Sequence, residues 1–385
     1  MRYRRELSIV QSATLAVALS VALVTGAGTA QAWTFKTLYE FTGRADGGIP
    51  GKLLRDNATG ELYGTTYGGG YNCGVVYKLA PDGTQTVLHA FNGPQGVRQN
   101  PSQHAHVNVK NKGCHPVGGR LIKDDKGNLY GATSDGGDMS CDENGGKGCG
   151  VVYKLRPDGK YIVLHTFEGV GHSDHAATGL IRDDANGDLY GATYQAVFKL
   201  AADGTYTTVA SLASVSELTS GPHRTLYGTT YYGGGEHCNC GSIFRISQGA
   251  GEILYSFKKR PLGHPSSLAM DESGNLYGAG IGHYDDGGSV FRFAPNNDIK
   301  WLYKFKGSGS AGPEGDLVLD PSGKIYGMTL GGEGTLFQLD PDGTKTTLHV
   351  FADPYTPWGG LITDAGGNLY GVTEGVQGTV FELVK

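Results

Sequence analysis

Leu-Tyr-Gly, once as Ile-Tyr-Gly, occurs seven times in this chain, with its tyrosine at Tyr63, Tyr130, Tyr190, Tyr227, Tyr277, Tyr326 and Tyr370. A unit of about 40–50 residues that reads as short strands between turns is the pattern of a β-propeller. In the first complete unit, Gly51 to Asp56 is strand one and Glu61 to Tyr67 is strand two. A glycine-rich loop then leads to strand three, Gly74 to Leu79, and Pro81-Asp82-Gly83 turns the chain into strand four. Strands two and three are nearly continuous apolar runs, as expected of strands covered on both faces. The 65 glycines fit many tight turns, and no apolar run beyond the N-terminus has helical periodicity.

The seventh unit ends with Val380 to Lys385, directly after its third strand. A matching fourth strand lies at the other end of the chain. Thr34 to Gly43, TFKTLYEFTG, shares the register of TQTVLHAFNG from Thr84, KYIVLHTFEG from Lys160 and TKTTLHVFAD from Thr344. The expected fold is therefore all-β: a single seven-bladed β-propeller of four-stranded blades, with residues 34–43 completing the last blade. The domain spans residues 33–385.

GNLYGATSDGG, followed by GCGVVYKLRPDG and YIVLHTFEG, resembles the GloVer-type tandem repeat of exported bacterial proteins. The resemblance covers essentially all of residues 33–385. It implies a propeller-like fold and no particular activity, and it assigns no catalytic residues. Many proteins with this repeat are similar to surface proteins that carry a C-terminal anchoring segment. Here the chain stops at the last unit, which suggests a soluble protein.

Residues 1–32 read as a secretory signal peptide. Arg2, Arg4 and Arg5 precede an apolar stretch, and Ala30-Gln31-Ala32 supplies the cleavage site before Trp33. Arg4-Arg5 also fits a twin-arginine export signal. The expected location is secreted or periplasmic, without stable membrane insertion. The formal net charge of −5 becomes −7 when three arginines and one glutamate leave with this segment. No basic cluster survives, so nucleic acid is not an expected partner. A monomer is expected.

Loops between strands two and three, and crossovers between units, emerge on one face of a propeller. The long insertions 94–116, 134–148, 170–177 and 232–241 all fall there. Long loops on a rigid scaffold are where binding usually sits. His89, His165 and His349 share one strand-four position and read as structural. His104, His106, His115, His172, His175, His237, His264 and His283 lie in or beside the face loops. Among them His172, His175, His264 and His283 are the catalytic candidates. His104 and His106, with Asp138 and Asp142, are the metal candidates, and a divalent metal is the one cofactor they would take. The register of strand one places Lys52, Arg120, Gly179, Ser267, Asp316 and Gly360 at equivalent positions on the channel. In the fourth unit the strand-one glycines give way to Glu217-Leu-Thr-Ser220. Lys52, Arg120 and Asp316, with the aromatic residues Tyr67, Tyr232 and Trp358, are the ligand-binding candidates.

The six cysteines, Cys73, Cys114, Cys141, Cys149, Cys238 and Cys240, lie in the same loops. In an exported chain they are disulfide candidates, with Cys73–Cys114 and Cys141–Cys149 as natural pairs and zinc as the alternative for Cys238-Asn-Cys240. There is no nucleophile elbow, phosphate loop or dinucleotide fingerprint. The functional expectation is an exported binding protein that holds a glycan, peptide or surface partner on its loop-rich face. The alternative is a lyase or hydrolase for carbohydrate or lactone-like substrates, using face histidines with a carboxylate or metal.

Overall fold

The turn before Leu-Tyr-Gly is built by an aspartate in every repeat but the fourth, where Gly221-Pro222-His223-Arg224 takes its place. In a computed structural model of the chain, Asp124 Oδ1 accepts the N–H groups of Lys126 and Asn128 at 3.0 and 2.8 Å. Its Oδ2 accepts Asn128 Nδ2–H at 2.8 Å and Tyr130 O–H at 3.0 Å. Such an Asx turn offers the backbone a local partner and closes the hairpin between strands one and two. The same tyrosine-to-aspartate bond recurs at Tyr277–Asp271, Tyr326–Asp320 and Tyr370–Asp364. In these four repeats the tyrosine is thus spent on its own turn.

The glycine that follows is required by an aromatic ring. A Cβ on Gly131 would lie 2.4 Å from Tyr153 Oη, and one on Gly278 would lie 2.3 Å from Phe291 Cζ. The equivalent clashes await Gly64 with Tyr77, Gly191 with Phe198, Gly228 with Phe244, Gly327 with Phe337 and Gly371 with Phe381. Each of these strand-three rings is at most 1% exposed. Against them, edge-on, pack phenylalanines from the end of the preceding strand four. Phe91–Tyr153, Phe167–Phe198, Phe257–Phe291 and Phe305–Phe337 have centroids 5.2–5.5 Å apart. Core and repeat-to-repeat contact are therefore the same layer of rings.

The structure describes residues 33–70, 73–91, 113–116, 119–138, 148–168, 178–233, 239–258, 264–280, 287–306, 312–331, 334–352, 355–375 and 377–385. It is all-β apart from one 3₁₀ turn, Pro222–Arg224. No helix among these residues is long and apolar enough to cross a membrane. The strands form six sheets, antiparallel except at one bridge, and consecutive strands of a repeat are neighbours. Three sheets have four strands and two have five. The eight-stranded sixth is two four-stranded arrays joined only by a parallel bridge between Asp316 and Gly360.

Thr34–Glu40 pairs antiparallel with Thr379–Val384, from Thr34 opposite Val384 to Glu40 opposite Thr379. It thus stands as the fourth strand of the array that ends the chain, as the sequence register predicts. Phe35 stacks on His349 and Phe381 at 3.9 and 5.2 Å, and Phe41 meets Tyr77 of the first repeat edge-on at 5.1 Å. The strand-four histidines have the structural role expected of them. His89 stacks on Tyr161 and His165 on Tyr206, both at 4.3 Å, each ring belonging to the next repeat.

Candidate functional site

Strand one of every repeat carries a buried leucine, from Leu53 to Leu361, and the residue before it faces the other repeats. Three of these residues are the predicted Lys52, Arg120 and Asp316, and the structure brings them together. Lys52 Nζ donates to Asp316 Oδ1 at 2.8 Å, and Arg120 Nη2 donates to Asp316 Oδ2 at 3.1 Å. A fourth member, Glu217, was not among the predicted ring residues, and its Oε2 lies 2.5 Å from Lys52 Nζ. Its signal was present in the sequence: Glu217-Leu218 occupies the register of Lys52-Leu53. The remaining positions are small. Ser267 Oγ donates to Gly315 O at 2.6 Å, Gly360 bridges Asp316, and a Cβ on Gly179 would sit 3.1 Å from Arg120 N. Only small residues at these positions let the strands approach closely enough for long side chains from the first, second, fourth and sixth repeats to meet.

The cluster has two cations and two carboxylates. Lys52 and Asp316 side chains are 12% and 19% exposed, while Arg120 is 42% exposed. Burial alone disfavours the Lys52 ammonium, but Asp316 and Glu217 outweigh it and raise its pKa. Burial pushes the Glu217 carboxyl up despite the opposing pull of Lys52. Lys52 is therefore a tie between repeats, and Arg120 presents the exposed part of the cluster.

On the loop-bearing side, strand one begins with a strained residue. Ile49, His115, Ser214 and His264 all have φ between +51° and +58°, unusual for residues with a side chain. Each donates its N–H to a carbonyl of the preceding repeat: Gln377 O, Cys73 O, Tyr194 O and Cys240 O, at 2.7–3.0 Å. The strain is thus a repeated clasp between neighbours, and what varies is the side chain it presents. His115 stacks on Tyr67 at 4.3 Å, and its Nδ1 lies 2.7 Å from Asp135 Oδ2. His264 stacks on Tyr231 at 4.5 Å, with Nδ1–H donating to Tyr231 O at 2.7 Å.

Tyr67, Tyr194 and Tyr232 are 49%, 55% and 50% exposed, at the exits of the second strands of three repeats. Burial and the neighbouring Asp135 raise the Tyr67 phenol. Trp358, predicted with them, is half-buried and packs against the core between the last and first repeats. His264 is only 5% exposed, so its ring is a packing element beneath Tyr231 and Tyr232 and is not offered to solvent. Asp135, the partner of His115, carried no signal in the sequence because the pairing is made across a hairpin, Cys114 opposite Asp135.

Cys73 and Cys114 form a disulfide, as predicted, beside this histidine. Cys149 and Cys240 are each disulfide-bonded too, though not to one another, which removes Cys240 from the zinc alternative. Among the described residues, no three His, Cys, Asp or Glu side chains are grouped to hold a metal. Asp138 is half-buried, and its carbonyl accepts Cys149 N–H at 3.3 Å. His104, His106, Asp142, His172, His175, His283, Cys141 and Cys238 lie outside the described residues, as do most of the four insertions.

Repeated four-stranded antiparallel arrays with inward-facing first strands define a β-propeller-like repeat protein. The chain belongs to the Gloeobacter/Verrucomicrobia repeat family, whose model matches residues 98–279 and 196–384. A comparison with curated proteins returns no match. Among solved structures, the chain is similar to a family GH74 xyloglucanase from Xanthomonas campestris, at 15% identity and a TM-score of 0.59, covering 90% of this chain and 53% of that one. It is also similar to the extracellular domain of a protein described as a hybrid two-component system from B. thetaiotaomicron, at 11% identity and 0.55, covering 90% and 39%. A puromycin-hydrolysing peptidase from Mycobacterium tuberculosis gives 13% identity and 0.53, covering 86% and 50%. The chain thus spans about half or less of each of these proteins. At these identities the likeness concerns the fold alone.

Proposed function

We propose that this chain is an exported binding protein: a closed seven-bladed propeller that holds a glycan on its loop-bearing face. Closure is supported by the pairing of Thr34–Glu40 with Thr379–Val384. It is supported again by Phe41 on Tyr77, the counterpart of every other phenylalanine-on-ring contact between neighbouring repeats. Export is supported by the signal-like residues 1–32, and the mature protein should begin at Trp33 by N-terminal sequencing.

The observation that carries the ligand class is the set of half-exposed rings Tyr67, Tyr194 and Tyr232. Tyrosine offers an apolar face for the C–H face of a sugar and a hydroxyl at its edge. Arg120 and Asp316 at the channel mouth add a donor and an acceptor for hydroxyl groups. Soluble polysaccharides screened on an array, then titrated calorimetrically, test this reading. Tyr67→Ala combined with Tyr194→Ala should weaken binding at least about tenfold, at roughly 1 kcal/mol or more per lost stacking ring. Equal affinity of that variant and the parent protein, at unchanged melting temperature, would overturn it.

One observation favours a second reading. The His115–Asp135 pair, 2.7 Å apart beside Tyr67, is an arrangement used for proton transfer in hydrolases and lyases. Turnover of a carbohydrate or lactone that disappears in His115→Ala would establish this reading over simple binding.

A further inference from the structure

The side of the fold opposite the insertions, where the Asp-Gly turns lie, carries a groove of about 680 Å³ between the second and third repeats. This is within the size range of small-molecule sites. Leu164 and Ala202 line it over the buried Leu189 and Leu200, and Lys126, Lys154 and Arg182 share its rim with Asp125 and Asp184. The groove exists because the repeat grammar is broken here three times.

The first break is steric. In four other repeats a proline of the strand-three turn, Pro81, Pro157, Pro295 or Pro341, packs against the glycine of the neighbouring hairpin turn. The third repeat has Ala202 facing Gly187, and the missing ring atoms leave space.

The second break concerns Lys154. Its counterparts Lys78 and Lys199 are neutralised by Glu61 at 2.8 Å and Asp188 at 2.6 Å. In the second repeat that acidic position is Asn128, whose amide is already given to Asp124. Lys154 instead lies 5.4 Å over the Tyr130 ring, with no ion pair among the described residues.

The third break concerns Arg182. Its counterparts Arg55 and Lys123 reach back to the turn aspartates of the preceding repeat, Asp364 and Asp56. Among the described residues Arg182 makes no such pair with Asp124 and pairs within its own turn with Asp184, which is 85% exposed. So exposed a partner neutralises little. The fifth repeat shares the Asn275/Arg292 combination, but the sixth offers Leu319 where the third offers Arg182. Two cations without buried counter-charges thus meet over an apolar floor at the junction of the second and third repeats.

We propose that this groove binds a small organic anion. Its carboxylate, sulfate or phosphate head would lie between Lys154 and Arg182, with its apolar body over Leu164 and Ala202. The site is independent of the loop-bearing face and of its glycan.

The test titrates the full mature protein with 4-methylbenzoate and with 4-methylbenzyl alcohol, its neutral counterpart, by calorimetry. Saturable one-to-one binding of the carboxylate is expected, with the alcohol at least about tenfold weaker, since tenfold is about 1.4 kcal/mol and a charge-assisted contact is worth that much. Lys154→Gln should weaken the carboxylate about five- to tenfold, and so should Asn128→Asp, which returns the acid that the first and third repeats carry. Because those repeats fold with an acid in that position, Asn128→Asp keeps the test sound if Lys154→Gln misfolds. Arg292→Gln should change nothing. Absence of saturable binding overturns the proposal. So does equal affinity for the alcohol, full competition by inorganic sulfate alone, or unchanged affinity in both Lys154→Gln and Asn128→Asp.

Discussion

Replacing Lys52 by methionine removes the ammonium that sits between Glu217 and Asp316 while keeping most of the side-chain volume. Nζ lies 2.5 and 2.8 Å from the two carboxylates, and all three side chains are at most 20% exposed. Breaking a buried ion pair from one side costs about 3–5 kcal/mol, because the remaining charges lose their partner and cannot reach water. With an unfolding entropy of about 2.1 cal/mol/K per residue, a domain of about 350 residues loses about 4–7 °C in melting temperature for that change. The loss should depend on pH in a defined direction. Burial already raises the Glu217 carboxyl, and Lys52 is the largest force lowering it. Without Lys52, the folded protein binds the Glu217 proton more tightly still than the unfolded chain, whose value is near 4.5. A folded-state pKa above the unfolded one stabilises below the unfolded value and is lost as pH rises through the folded one. Lys52→Met should therefore be mildest near pH 4.5 and progressively worse toward pH 8. Differential scanning calorimetry at a fixed scan rate across that range reads both the size and the slope. Adding Glu217→Gln should return most of the loss. A penalty below about 1 kcal/mol, or one independent of pH, would refute the account of Lys52 as a buried tie between repeats.

Other outcomes follow from separate features. Deleting residues 33–43 removes the strand paired with Thr379–Val384 and should abolish the cooperative melting transition; an unchanged transition would sink the closed ring. Replacing both Cys73 and Cys114 by serine opens a link of sequence separation 41 and should cost about 4 kcal/mol by the chain-entropy estimate, read from denaturant midpoints. Burial lowers the pKa of His165 and His349 below 6.5, so the unfolded chain takes up protons first as pH falls. Stability should decline below about pH 6.5, and His349→Phe, which keeps the stack on Phe35, should flatten that decline in melting curves from pH 7 to pH 5.

The ladder of strands was legible because each part of the repeat solves a local problem that sequence records. The turn aspartate, the tyrosine that bonds to it and the glycine beneath the ring recur at fixed spacing, since each contact is made within one hairpin or its neighbour. The register of Thr34–Glu40 could be read for the same reason. It carries the strand-four pattern, and the seventh unit lacks that strand.

The candidate site was only half legible. Lys52, Arg120 and Asp316 were found because they occupy one register position, yet Glu217 was passed over although it shares it. Pairing Lys52 with Glu217 joins residues 165 apart, and no local pattern encodes which side chains meet across an axis. His264 shows the opposite: it lies at a loop-bearing position, but burial depends on how closely the next repeat approaches. The sequence by itself determined the repeat, its turns and the pairing of its ends, because these rest on short-range chemistry. Only the tertiary structure decided which charges are neutralised, which rings stay exposed and where a groove opens. Those outcomes depend on how closely neighbouring turns and repeats approach, set by packed volumes such as Ala202 in place of a proline.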